Sequence, residues 1–289
     1  MKNFFWLLLT FMVSDFSYAQ EVITDSSILN QNVRDTINID QFSTVSLFLK
    51  TSKKINGKYI PTTTATGFIY EKNGINYLIT NWHVVSGKHP NGKAEVNSEG
   101  IDISNPEKLE IYFHRKTLGE WKTVEIDLYK KQKPIWLEHP KGSAVDVVAI
   151  PLTFKGIDNI LLKLYPINEV KFNDDILIYP SMDVSIIGFP YGFSSFGKLP
   201  IWKTGQVSTD YDININELPL FYIDASTRGG MSGSPVICRT SSYNTKNSFV
   251  ISAGAYAQKF LGIYSGRLMP GDSDIGLVWK AECLDEIIN

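Results

Sequence analysis

The segment of this sequence best suited to covalent chemistry is a serine flanked by glycines. Residues 229–234 read Gly-Gly-Met-Ser-Gly-Ser and lead into an apolar run that starts at Pro235. Glycine allows a sharp backbone turn in which amide N–H groups converge on a developing oxyanion. We therefore predict that Ser232 is a nucleophile and that the N–H groups of Gly230 and Ser232 are oxyanion donors. An ordinary Gly-Ser turn before a strand is the alternative.

A histidine at the end of a β-type run is the second candidate. The apolar run Tyr77–Thr80 ends shortly before His83. A general base must be held rigidly beside its nucleophile, and the end of a strand is a suitable mount. A purely structural histidine is the alternative. The other histidines lie in polar or Pro-containing contexts and are expected at the surface: His89, His114 and His139.

An acidic residue at the mouth of an apolar strand is the third candidate. Asp146 directly precedes the run Val147–Pro151. A carboxylate there is costly to bury unless it is paired or hydrogen-bonded, and orienting the Nδ1–H of a histidine would meet that need. Taken alone, Asp146 is better explained as the cap of a turn.

Together, these three segments resemble the trypsin-like serine peptidases, particularly the bacterial glutamyl-endopeptidase and heat-shock-type branches. The resemblance covers roughly residues 41–280, and the order His83, Asp146, Ser232 matches that family. The α/β-hydrolases run Ser, acid, His and need glycine two residues beyond the nucleophile, where this chain has Ser234. The subtilisin-like order Asp, His, Ser also fails to match.

The resemblance implies an all-β fold of two antiparallel six-stranded β-barrels with a short C-terminal helix and a cleft between the barrels. It implies a monomeric endopeptidase that cleaves polypeptides through a Ser-His-Asp triad and an acyl-enzyme, with no metal or organic cofactor. One alternative is a binding or regulatory module without turnover, because Met231 replaces the polar residue that precedes the nucleophile in many relatives. An esterase using the same nucleophile is another.

The resemblance also places a primary substrate pocket. Its residues would be Ser226, Thr227, Tyr264, Ser265 and Arg267. Tyr264 stands where glutamyl endopeptidases have a histidine, and Ser226 and Thr227 replace the aspartate that selects lysine or arginine. We therefore expect neither strict glutamate specificity nor tryptic specificity, and favour apolar or small residues.

Short β-type runs separated by Gly, Pro, Asn and Asp dominate the chain from Gln41 onward and include one run at Thr44–Leu49. Asn73-Gly74 predicts a tight hairpin, because both residues readily adopt positive φ. The predicted organisation is a signal peptide (1–19), a leader or loose arm (20–40), a first barrel (41–155), a connection (156–183), a second barrel (184–280) and a C-terminal helix (281–289).

The N-terminus predicts export. Lys2 precedes the apolar stretch Phe4–Val13. The small residues Ser17 and Ala19 that follow are typical of a signal-peptidase site, which indicates cleavage after Ala19. That stretch is shorter than the ~20 residues a membrane-spanning helix needs, so we expect a secreted or periplasmic protein whose mature form has no membrane span. A net charge of -2 does not favour nucleic-acid binding. Cys238 and Cys283 could form one bridge or remain two buried thiols.

Overall fold

Antiparallel strands make up most of the computed structural model, which describes residues 38–90, 92–94, 96, 100, 102–153, 162–268 and 273–289. The strands are β1 (Ser46–Ile55), β2 (Lys58–Lys72), β3 (Ile75–Thr80), β4 (Lys108–Arg115), β5 (Trp121–Asp127), β6 (Tyr129–Lys130), β7 (Lys133–Pro134), β8 (Leu137–Glu138), β9 (Val148–Pro151), β10 (Leu162–Lys163), β11 (Asp183–Gly188), β12 (Ile201–Val207), β13 (Leu220–Asp224), β14 (Pro235–Thr240), β15 (Ser242–Asn244), β16 (Phe249–Ile251), β17 (Ala257–Arg267) and β18 (Ile275–Lys280). The helices of these ranges are α1 (Gln41–Val45), α2 (Trp82–Ser86) and α3 (Cys283–Ile287). The all-β prediction is confirmed, and α3 fits the short C-terminal helix. The predicted signal peptide and most of the predicted arm lie outside the described residues.

The second half of the chain forms a closed six-stranded barrel in the order β11-β12-β13-β18-β17-β14. Each neighbouring pair is antiparallel. The barrel interior is filled by apolar side chains that include Ile186, Phe221, Val236 and Leu261. This half therefore has the predicted architecture.

The first half differs from the expected closed barrel. Its described strands form an open sheet in the order β10-β4-β1-β2-β3-β9-β8, with β5 paired to β4. The outer strands β8 and β10 are two residues long, and no ladder among the described residues joins the two edges. Its apolar side chains form a separate core, which includes Leu49, Leu78, Ile111 and Val148.

A third apolar cluster joins the two halves. Phe68 and Ile79 of the first half pack in one buried cluster with Ile237 and Ile263 of the barrel and with Leu284 of α3. Burial of apolar surface is the main favourable term in folding. The cluster therefore fixes the two halves against each other, and the C-terminal helix is part of it.

Both cysteines are buried and unpaired in the structure. Cys238 lies in the barrel core and Cys283 in the shared cluster. Burial raises the pKa of the Cys238 thiol to about 11 and also raises that of Cys283. From the sequence, a disulfide bridge and two buried free thiols were equally well supported. The structure has two buried free thiols.

Local turn chemistry explains one success and one error of the sequence predictions. Asn73 and Gly74 have φ of 56° and 77° and join β2 to β3, as predicted. The predicted strand Thr44–Leu49 begins instead within α1. The carboxylate of Asp40 accepts a hydrogen bond from the Phe42 N–H at 3.0 Å and caps this helix.

The expected surface positions of His114 and His139 are wrong, since these side chains are 2% and 3% exposed, whereas His89 is exposed as predicted. His114 packs against the rings of Trp121 and Tyr165. Burial lowers the pKa of His114 to about 4. The strand face on which a histidine lies decides its burial, and the polar neighbours of His114 in sequence obscured that face.

His114 predicts an acid-sensitive fold. Its pKa is lowered in the folded state, so the unfolded chain binds the extra proton first as the pH falls below the ordinary value of about 6.5. The stability that His114 contributes is therefore fully present above that value and is lost progressively as the pH falls to about 4. Between pH 7 and pH 4.5, this difference in proton binding should lower the free energy of unfolding by roughly 2 kcal/mol. Urea unfolding at the two pH values should show a smaller loss in His114→Gln than in the wild type or in the exposed control His89→Gln. Equal losses in all three proteins would contradict this role of His114.

None of the described helices is both long enough and apolar enough to cross a membrane.

Candidate active site

His83 and Asp146 are brought together by the ladder between β3 and β9. Thr80 pairs with Val148 in this ladder, so the residues just beyond each strand end meet at the same edge. His83 lies in α2, which begins two residues after β3 ends, and Asp146 lies two residues before β9 begins. The buried Asn81 adds a cross-link, because its side-chain amide donates to the Asp146 carbonyl at 2.7 Å.

The Asp146 carboxylate is 1% exposed and accepts three hydrogen bonds. Its Oδ1 accepts from the backbone N–H of His83 at 2.8 Å. Its Oδ2 lies 2.6 Å from His83 Nδ1 and accepts from the hydroxyl of Ser265 at 2.5 Å. A carboxylate only accepts, so Nδ1 carries the hydrogen and Nε2 keeps a lone pair that can take a proton. The cost of burying the carboxylate is offset by these donors.

Sequence reasoning missed this role of Ser265. It was predicted to line the substrate pocket, whereas its side chain belongs to the hydrogen-bonded group around Asp146. The contact spans 119 residues. No local pattern at Ser265 could have indicated it.

Ser232 lies in a turn that is tied to both halves of the molecule. Its carbonyl accepts from the Thr66 N–H of β2 at 2.9 Å, and the N–H of Gly233 donates to the Tyr264 carbonyl of β17 at 2.8 Å. The Ser232 hydroxyl donates to the Ser265 carbonyl at 3.1 Å. Ser232 and His83 line the same two cavities, of about 190 Å³ and about 490 Å³, so the two residues border a shared space.

The backbone before Ser232 is held with its amide hydrogens available. The carbonyl of Gly229 accepts from the Tyr191 N–H at 2.6 Å, and the carbonyl of Gly230 accepts from the Thr66 hydroxyl at 2.9 Å. In a trans peptide the N–H points opposite to the C=O, so the Gly230 N–H is turned away from Tyr191. Neither Gly230 N–H nor Ser232 N–H donates to an acceptor within the described part of the chain. Both can therefore bind an oxyanion.

Met231 is anchored by packing. Its side chain is 0% exposed and lies in the barrel core with Val236 and Leu261. Its N–H donates to the Arg228 carbonyl at 3.3 Å, and its carbonyl accepts from the Ser234 N–H at 3.0 Å. An apolar anchor thus fixes the turn at Met231, the residue that motivated the alternative of a module without turnover.

The residues predicted to form the substrate pocket occupy different environments. Ser226 is exposed, Thr227 is fully buried, and Tyr264 is 2% exposed with its hydroxyl hydrogen-bonded to that of Thr227. Burial raises the pKa of Tyr264. Arg267 is half-buried and lines the larger cavity. Within the described ranges, no three His, Cys, Asp or Glu side chains are grouped as metal ligands.

Comparison with known proteins shows the family of the chain. No curated protein matches the chain. The model of the trypsin-like peptidase domain family matches residues 65–242, which is more than half of the 289 residues and includes His83, Asp146 and Ser232. The chain therefore belongs to the trypsin-like peptidase domain family.

Proposed function

We propose that this protein is a serine endopeptidase in which Ser232 is the nucleophile, His83 the general base and Asp146 the group that orients His83. The observation that carries the proposal is the 2.6 Å contact of Asp146 with Nδ1 of His83, a residue that lines the same two cavities as Ser232. Membership of a peptidase family supports the same reaction class.

The geometry supports a two-step reaction. The Ser232 hydroxyl turns from the Ser265 carbonyl and attacks the scissile carbonyl carbon while His83 Nε2 takes its proton. The oxyanion accepts hydrogen bonds from the N–H groups of Gly230 and Ser232. His83 then protonates the departing amine as the C–N bond breaks, and water hydrolyses the acyl-enzyme by the same route. The buried Asp146 stabilises the imidazolium in each step.

The alternative of a binding module without turnover depended on Met231. The burial of that side chain in the barrel core fixes the turn without the hydrogen bonds that a polar residue would make. The active enzyme is therefore the better-supported function. We also propose export through a signal peptide cleaved after Ala19. Assignment to the glutamyl-endopeptidase or heat-shock-type branch stays a prediction.

A fluorophosphonate probe tests the nucleophile, because it phosphonylates an activated serine within a formed oxyanion site. The purified wild type should be labelled at Ser232 in stoichiometric amounts. Ser232→Ala should not be labelled, whereas Ser234→Ala, two residues along the same turn, should keep the label. A folded wild-type protein that resists labelling would favour the binding module.

A further inference from the structure

The side chain of Tyr264 fills the space beside the Ser232 turn. Its ring belongs to the apolar cluster of the barrel, which also contains Ala225 and Met231 from the segment that leads to Ser232. The Tyr264 ring is 2% exposed, and its hydroxyl is held by Thr227, five residues before Ser232. The backbone of Gly276 in β18 lies against the ring, since a Cβ added to Gly276 would be 2.9 Å from Tyr264 Cε2. The missing side chain of Gly276 and the hydroxyl of Thr227 thus both accommodate the tyrosine.

The strand that carries Tyr264 also offers an edge for a peptide. β14 pairs with β17 only as far as Ile263, whereas β18 pairs with it up to Arg267. Residues 265–267 therefore have an edge that β14 does not cover, next to the Ser232 hydroxyl. An extended peptide can add to such an edge by backbone hydrogen bonds.

A peptide on that edge, with its scissile carbonyl at Ser232, directs one side chain into the space around Tyr264. The carbonyl oxygen lies toward the Gly230 and Ser232 N–H groups, and the leaving amine lies toward His83, which protonates it. The residue that supplies the carbonyl, here called the acyl-side residue, then has its side chain against residues 226–230 and the end of β17. The Tyr264 hydroxyl is bound to Thr227 in that segment, so the ring lies next to it.

We propose that Tyr264 is a specificity-determining residue that closes this space, so that the enzyme cleaves after Gly, Ala or Ser. This inference rests on the proposed function. A large acyl-side residue would need the volume that the ring already occupies, and the ring has no free direction of retreat. It is held by Thr227 at its hydroxyl, by Gly276 at its edge and by the barrel core around it.

A peptide library that varies only the acyl-side residue tests the proposal. Wild-type kcat/KM should be roughly 10- to 100-fold higher for Ala than for Phe or Leu. Tyr264→Val should lower this ratio at least tenfold by admitting large side chains. Tyr264→Phe is the matched control, because it keeps the ring, removes only the hydroxyl and should keep the preference for small residues.

Fluorophosphonate titration of active sites normalises each rate to folded, competent enzyme. A labelled wild type that prefers large, acidic or basic acyl-side residues would overturn the role of Tyr264 but leave the peptidase function intact. An unchanged preference in labelled Tyr264→Val would do the same. A folded wild type without label would overturn both. The wild-type profile needs no variant to fold, so the proposal can be refuted even if Tyr264→Val is unstable.

Discussion

Replacing Asp146 by asparagine is expected to lower kcat by about four orders of magnitude while the protein stays folded. The expectation follows from the three donors that surround the carboxylate. An amide group has one acceptor end and one donor end, so it cannot satisfy all three.

The orientation of the new amide can be deduced from its partners. The backbone N–H of His83 faces Oδ1 and cannot become an acceptor, so the amide oxygen should keep that position. The NH₂ then takes the place of Oδ2 and faces Ser265 and His83 Nδ1. The Ser265 hydroxyl can rotate, but Nδ1 can accept only if the imidazole moves its hydrogen to Nε2. The lone pair that should take the Ser232 proton is thereby lost.

Steady-state kinetics on a peptide substrate measures the effect, with active sites counted by fluorophosphonate after long incubation. Asp183→Asn, an exposed change in β11, is the control and should keep wild-type kcat. An Asp146→Asn enzyme that kept kcat within tenfold of the wild type would show that the buried contact does not set the tautomer of His83.

Sequence reasoning was strongest where local chemistry decides local structure. Asn73-Gly74 specifies its own hairpin, and the apolar run after Asp146 forms the strand β9 that pairs beside His83. The residue types Ser, His and Asp, in their order along the chain, were the basis for proposing these three side chains. Their meeting depends on ladders that only the folded chain contains.

The parts that the sequence did not predict depend on long-range pairing. The open first sheet results from which strands pair at its edges, and strand composition does not encode partners. His114 is buried because its face of β4 is covered by Trp121 and Tyr165. The pocket assignment included Tyr264, but the sequence could not show that this side chain is buried with its hydroxyl on Thr227.

The second large effect is expected at the oxyanion turn, where Gly230→Ala should lower kcat by about 10²- to 10³-fold. Gly230 has φ of 92°, which strains any residue with a side chain. A Cβ there would lie 2.3 Å from the carbonyl oxygen of Phe189. The peptide must rotate or shift to relieve this contact, and either movement redirects the Gly230 N–H.

Gly229→Ala is the control that distinguishes a changed direction of the Gly230 N–H from a stiffer backbone in the turn. A Cβ on Gly229 has no neighbour within 4 Å. Gly229→Ala therefore removes the same backbone freedom without a clash, and it should lower kcat at most a few-fold. The loss in Gly230→Ala should appear in kcat far more than in KM, because the oxyanion forms only after the substrate is bound. If both variants lose activity equally, the stiffness of the turn matters and not the direction of the Gly230 N–H. If Gly230→Ala keeps its rate, the oxyanion must be stabilised by donors other than this amide.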